Sequence, residues 1–135
     1  MLYRKAYDRL LTWKGQPKRK ALCIMGARQI GKTTLIRQFG KEQYSCFVEI
    51  NFITDTDATK IFAGNLDANT IITNLTAYTR KPMIPGNTLV LLDEIQACPN
   101  ARTAIKFLVE DGRFDYIESG SLLGVRHKEV RSYPV

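Results

Sequence analysis

The segment GARQIGKT at residues 26–33 constrains the fold of this chain more than any other part of the sequence. It has the pattern G-x-x-x-x-G-K-[ST], in which glycines let the backbone curl so that successive N–H groups point at anionic oxygens. A short apolar run at residues 21–25 precedes it, and a helical stretch from Lys32 to Phe39 follows, with Gly40 as its expected C-terminal end. Strand, loop and helix in this order predict a phosphate-binding loop, because the helix N-terminus adds its positive dipole end at the same point.

The pattern predicts which residues contact the nucleotide. They are Gly26, Ala27, Arg28, Gln29, Ile30, Gly31, Lys32, Thr33 and Thr34. We expect the Lys32 ammonium to reach the β- and γ-phosphates and the Thr33 hydroxyl to bind Mg²⁺. The predicted cofactors are ATP and Mg²⁺, since the motif Asn-Lys-x-Asp that gives GTPases their base specificity is absent.

A second motif, LVLLDE at residues 89–94, is an apolar strand candidate that ends in two acids. After a phosphate loop, Asp93 is expected to orient Mg²⁺ through its water shell. Glu94 at the strand tip indicates a general base that polarises the attacking water. Small-molecule kinases do not need such a glutamate, and GTPases position water from elsewhere. Glu94 and Lys32 are therefore the predicted catalytic residues.

A weaker signal follows in YIESGS at residues 116–121, the last strand candidate. In ATPases of this layout, a small polar residue at the end of this strand senses the γ-phosphate. Ser119 is the candidate, with Ser121 behind it; an ordinary strand followed by a Ser/Gly turn fits equally well.

Hydrophobic periodicity and turn signals predict the remaining elements. Helices are expected over residues 2–13, around 59–63, after the N-cap Asp67 and from Pro99 to Asp111, with a strand over 47–52. Alternating strands and helices predict an α/β fold of three layers, a mostly parallel sheet covered on both faces. The 61 residues from Lys32 to Asp93 leave room for an extra strand–helix unit, as in the additional-strand ATPases that include AAA proteins.

Charge is concentrated at one end of the chain. Residues 1–20 carry +6 of the formal net charge of +7. We therefore divide the chain into a basic helix and linker over 1–19 and an ATPase core over 20–135. Such an arm could meet a nucleic acid or an acidic partner, or be a solvated helix face.

The remaining composition excludes several classes. Cys23, Cys46 and Cys98 lie far apart and His127 is the one histidine, which argues against a disulfide framework or a zinc site. Charges interrupt the apolar positions of residues 1–10, and no apolar run approaches the roughly 18 residues of a membrane span. We expect a cytoplasmic protein without a signal peptide or a membrane partner.

The sequence resembles the prokaryotic AAA-type P-loop ATPases in which a separate, poorly characterised domain follows the ATPase core. The resemblance rests on GARQIGKTTL, VEINF, IPGNTLVLLDEIQACPNA, KFLVEDG and SGSLLG. It implies phosphate and metal binding by Gly26, Gly31, Lys32 and Thr33, metal and water binding by Asp93 and Glu94, and a sensor role for Ser119.

The resemblance also implies what lies beyond this chain. Family members continue past Val135 through another strand, a small helical lid and the extra domain, so the core here is expected to lack its last strand and lid. The strand before the phosphate loop would then expose an edge that favours self-association. The expected partners are ATP, that C-terminal domain, and a protein partner or a second copy of the chain.

Three functions remain open from the sequence: an ATPase, a nucleotide-gated switch with slow hydrolysis, and a DNA-associated motor that uses the basic arm. Arg102, Arg126 and Arg131 are alternative candidates for an arginine finger, and the sequence does not choose among them.

Overall fold

A computed structural model describes residues 2–17, 20–26 and 30–121. Within them the helices are α1 (Leu2–Lys14), α2 (Ile30–Gln43), α3 (Ala68–Thr79) and α4 (Pro99–Asp111). The strands are β1 (Leu22–Gly26), β2 (Cys46–Asn51), β3 (Thr88–Asp93) and β4 (Asp115–Ser121). Two 3-10 helices, Thr56–Phe62 and Ile95–Ala97, complete the order. Each predicted strand and helix is present, with bounds that differ by a few residues.

The four strands form one parallel sheet in the order β1-β4-β3-β2. The strand before the phosphate loop, β1, and the strand that ends in Asp93, β3, are therefore not neighbours. Because β4 lies between them, the sheet has the additional-strand arrangement. The strand–helix unit that the motif spacing predicted between the two motifs is β2 with α3. Among the described residues β1 lies at one edge of the sheet and β2 at the other.

Hydrophobic residues cover both faces of the sheet, as parallel strands require. On one face, α3, α4 and the first 3-10 helix pack over side chains that include Val48, Val90 and Leu92. On the other face, α1 and α2 pack over Leu22, Leu89 and Leu91. The result is the predicted three-layer α/β architecture.

Helix α1 packs directly against α2. Leu10 and Trp13 of α1 are buried in the same cluster as Phe39 of α2. At the other end of α1, the hydroxyls of Tyr3 and Tyr7 donate to Gln38 and Glu42 of α2. The N-terminal helix is thus part of the layer that carries Lys32, and its charged residues Arg4, Lys5, Asp8 and Arg9 are exposed.

Gly40 does not end α2, contrary to the expectation from the sequence. The helix continues to Gln43, and Gly40 is buried inside it. A Cβ atom at this position would overlap the ring of Phe47 on β2. Glycine is therefore needed here for the close approach of helix and strand rather than for a left-handed cap.

Two predicted helix ends are confirmed. The Asp67 carboxylate accepts from the backbone N–H of Thr70 at 3.0 Å and caps α3. Gly112 has φ of 80° and ends α4. No helix in the described ranges is long and apolar enough to cross a membrane.

Candidate functional site

The candidate site lies at the edge of the sheet where the parallel strands end. Asn51, the last residue of β2, pairs with Asp93, the last residue of β3. Gly26 of β1 pairs with Ser121 of β4 at the same edge. Carboxyl ends of neighbouring parallel strands are where open α/β sheets bind their ligands.

Lys32 connects the phosphate loop to β4. It stands in the first turn of α2, and its Nζ donates to the backbone carbonyl of Gly120 at 2.7 Å. The residues of this pair are 88 positions apart in the chain. The contact places the cationic end of Lys32 beside the end of the strand that neighbours β3.

Asp93 is the centre of a hydrogen-bond network. It is 6% exposed, and its Oδ1 accepts from the hydroxyl of Ser119 at 2.8 Å and from the backbone N–H of Glu94 at 2.9 Å. Its Oδ2 accepts a long bond from the Asn51 amide at 3.5 Å. These donors are all neutral, and they fix the carboxylate at the junction of β2, β3 and β4.

Glu94 follows in an unusual backbone conformation. Its φ of 55° and ψ of 47° are left-handed, which costs a residue other than glycine about 1–2 kcal/mol. This turn ends β3 and starts the short 3-10 helix Ile95–Ala97. The side chain of Glu94 accepts from the amide nitrogen of Gln96 at 2.7 Å. Two carboxylates thus follow one another at the strand tip, one bonded to β4 and the other to Gln96.

The structure describes only part of the predicted phosphate loop. Gly26 ends β1, Ile30 begins α2, Gly31 and Thr34 are exposed, and Thr33 is half-buried. Ala27, Arg28 and Gln29 lie outside the described residues. The elements β1 and α2 thus flank this segment, in the order that the sequence pattern predicted.

Sequence reasoning missed three residues of this site. Asn51 and Gln96 were not singled out, although both lie next to predicted elements, at a strand end and two residues after Glu94. Gly120 was noted only as part of a turn, whereas its carbonyl accepts from Lys32. A search for amides near strand ends would have found the first two.

A second polar cluster lies on the α4 face of the sheet. Glu118 of β4 is buried, and Arg102 Nε of α4 lies 3.8 Å from its Oε1. Burial raises the pKa of the Glu118 carboxyl, and the charge of Arg102 opposes that shift. Burial, reinforced by the Glu118 charge, raises the pKa of the Cys23 thiol to about 11.

The structure can be compared with the expectations for the arginines and the cysteines. Arg102 has a partner within its own chain, while Arg126, Arg131 and His127 lie outside the described residues. All three cysteines are buried and free. Within the described ranges no group of three or more His, Cys, Asp or Glu could hold a metal by itself.

Comparison with known proteins identifies the relationship. A family model described as an AAA domain matches residues 18–135. Among solved structures, the Orc1 protein of Aeropyrum pernix, solved in complex with DNA, superposes with a TM-score of 0.52 at 15% identity. The match covers 90% of this chain and 38% of the Orc1 chain. At that identity the likeness shows a shared fold alone. No curated protein matched the chain.

Proposed function

The chain belongs to the AAA domain family, an AAA-type P-loop ATPase family, and from that premise we propose that it binds ATP with Mg²⁺ and hydrolyses it. The observation that supports the proposal best is the contact between the Lys32 ammonium and the Gly120 carbonyl. It brings the lysine of the predicted phosphate loop to β4. In that strand Ser119, the residue before Gly120, donates to Asp93. The ammonium of Lys32 and the carboxylate of Asp93 thus both contact the end of β4, where we propose that they bind phosphate and metal.

The surroundings of Asp93 fit a divalent cation. A buried carboxylate is costly unless its charge is compensated, and the three donors to Asp93 are neutral. Magnesium is commonly bound by one or two carboxylates together with substrate phosphates, rather than by a cage of protein ligands. Asp93 and the Thr33 hydroxyl would hold the ion, with Asp93 acting through its water shell.

The loop and α2 would bind the phosphates. The backbone N–H groups of residues 26–31 would surround the β-phosphate, and the helix dipole would favour its charge. Lys32 would exchange its bond to the Gly120 carbonyl for oxygens of the β- and γ-phosphates. Bound Mg²⁺ supplies the charge that neutralises those oxygens.

Glu94 would act as the general base. Its carboxylate would accept a proton from water as the water oxygen bonds to the γ-phosphorus, while the bond from that phosphorus to the β–γ bridging oxygen breaks and ADP leaves. Ser119 would report the state of the nucleotide through its bond to Asp93. The expected C-terminal domain, a protein partner and self-association remain predictions from the sequence.

A thermal-shift experiment tests the binding step. We would measure the thermal midpoint of the protein with Mg-ATP, with ATP plus EDTA, and without ligand. A ligand at about 100 times its Kd adds roughly 2.7 kcal/mol, several degrees for a domain of this size. Lys32→Ala should abolish the shift, whereas Lys41→Ala, which changes an exposed lysine of the same helix, should keep it. A shift that persists in Lys32→Ala, or no shift in the wild type, would contradict the proposal.

A second candidate is that DNA stimulates this ATPase. Arg4, Lys5 and Arg9 are exposed on the outer face of α1, and none of them has an ion pair in the part of the chain that the structure describes. Their helix packs against α2, which carries Lys32. Charge contact with DNA would couple to the site through that packing. Turnover that rises with duplex DNA at low salt, and not in a variant with all three residues changed to Gln, would support it; equal turnover with and without DNA would refute it.

A further inference from the structure

Gln96 is placed between the proposed base and the end of β4. It stands in the 3-10 helix Ile95–Ala97, directly after the left-handed turn at Glu94. Its Nε2 donates to Glu94 Oε1 at 2.7 Å. A hydrogen bond to a charged acceptor is among the stronger ones in proteins, so it restricts the rotamers open to the Glu94 carboxylate.

The oxygen of the same amide, Gln96 Oε1, packs against Gly120. Gln96 Oε1 is buried and has no hydrogen-bond donor among the described residues. A Cβ atom built on Gly120 would overlap this oxygen, and it would lie 3.0 Å from Cε and 3.1 Å from Sδ of Met25. The amide therefore occupies the space that a side chain at position 120 would take.

This arrangement is not what packing alone would select. A buried carbonyl oxygen without a donor costs free energy, and an apolar side chain of the same length would fill the space without that cost. The amide nitrogen, however, gives Glu94 a donor that an apolar residue cannot supply. The balance favours glutamine only if the contact with Glu94 has a use.

We infer that Gln96 is a positioning residue that holds the Glu94 carboxylate for the hydrolysis proposed above. Glycine is required at position 120 because a side chain there would displace the amide of Gln96. This inference rests on the proposed function. Gly120 also accepts from Lys32 through its carbonyl. Gly120 therefore contacts two groups of the proposed site. One is Lys32, which would bind the γ-phosphate, and the other is Gln96, which would position Glu94.

Two substitutions test the inference by turnover. Gln96→Met keeps the length of the side chain and removes the donor. Gly120→Ala removes no polar group but displaces the amide of Gln96, and it should still fold because the obstructing atoms are the ends of flexible side chains. Each should lower kcat by about 10- to 100-fold, since misplacing a reacting group by about 1 Å costs up to 100-fold. For Gln96→Met the Kd for Mg-ATP should stay within about twofold.

Gln38→Met is the matched control. Gln38 donates to Glu42 at 3.1 Å and accepts from the hydroxyl of Tyr3 on the exposed side of α2, so this substitution removes amide hydrogen bonds away from the site. Its kcat should equal that of the wild type.

The contact itself can be observed without nucleotide. In the ¹H–¹⁵N spectrum, the side-chain amide of Gln96 should show a proton that exchanges slowly with solvent. That protection should be lost in Glu94→Ala and in Gly120→Ala. The Gln38 amide should be unchanged in both variants.

The outcomes separate the inference from the function it rests on. A wild type that does not hydrolyse ATP refutes the proposed function, and the positioning role with it. A wild type that turns over while Gln96→Met has unchanged or higher kcat refutes the positioning role alone. An amide signal that is the same in Glu94→Ala as in the wild type refutes the contact.

Discussion

The middle of each central strand, its body, and its carboxyl end, its tip, are both buried. The residues of the bodies are apolar, whereas those of the tips are polar. In the body of β3, Leu89, Val90, Leu91 and Leu92 are completely buried between the two helical layers. At the tips, Asp93 is 6% exposed and Ser119 of the neighbouring strand is 1% exposed. The first group is held by apolar contact, and the second by hydrogen bonds among its own members.

This difference indicates that the strand bodies supply most of the stability of the domain and that the strand tips carry the groups of the proposed site. Each fully buried leucine contributes about 1.5–3 kcal/mol by leaving water. The polar tips gain little net free energy, because their hydrogen bonds replace bonds to water, and the left-handed Glu94 is a cost. Changes at the tips should therefore affect chemistry more than stability, and changes in the bodies should do the reverse.

Glu94→Gln should give the largest effect, and it should fall on turnover. Removing a general base is expected to lower kcat by about 100- to 10,000-fold, while Mg-ATP still binds. The thermal midpoint should hardly change, because glutamine fills the same volume. Phosphate release and calorimetry on the same samples would measure both.

Full turnover by Glu94→Gln would remove Glu94 as the base. If the wild type itself turns over slowly, and Glu94→Gln lowers kcat by too little to measure, a nucleotide-gated switch would be favoured instead.

Leu91→Ala should give the opposite result. Its side chain is completely buried under α1 and α2, so truncation leaves a cavity and should lower the free energy of unfolding by about 2–5 kcal/mol. Urea denaturation would measure the loss. In the fraction that remains folded, the Kd for Mg-ATP should be unchanged; a large change would mean that strand bodies and tips are not separable.

Gly40→Ala should give a smaller loss that sharpens the comparison. The added methyl would overlap the ring of Phe47, and overpacking usually costs about 1–3 kcal/mol. Against this, alanine in a helix interior is about 1 kcal/mol better than glycine. We therefore expect a net loss of about 1 kcal/mol in urea denaturation and unchanged turnover. A gain in stability would show that Phe47 moves aside easily, and that the approach of α2 to β2 does not require glycine at this position.

The order of strands and helices could be predicted because it depends on local patterns. The apolar runs before Gly26 and before Asp93 predict strands by their length and bounds, and Asp67 and Pro99 predict helix starts by capping chemistry. The phosphate-loop pattern and the Asp-Glu pair indicated where the site would lie and which residues carry charge. The family match confirms the predicted AAA-type family, and the site residues stay predictions.

The mistaken end of α2 shows why local patterns have a limit. A glycine after a helical stretch usually marks its end, but here Phe47 of the next strand requires the glycine inside the helix. The sequence does not show that contact, since it depends on how closely α2 approaches β2.

By itself, the sequence determined the order of helices and strands and placed Lys32 at a helix start and Asp93 at a strand end, because these depend on neighbours within a few positions. Only the tertiary structure decided that Ser119 bonds Asp93 across 26 residues, that Lys32 meets Gly120 across 88, and that the amide of Gln96 lies between Glu94 and Gly120. Such contacts arise when sheet order and register bring distant strand ends together, and register is set by packing over both faces of the sheet.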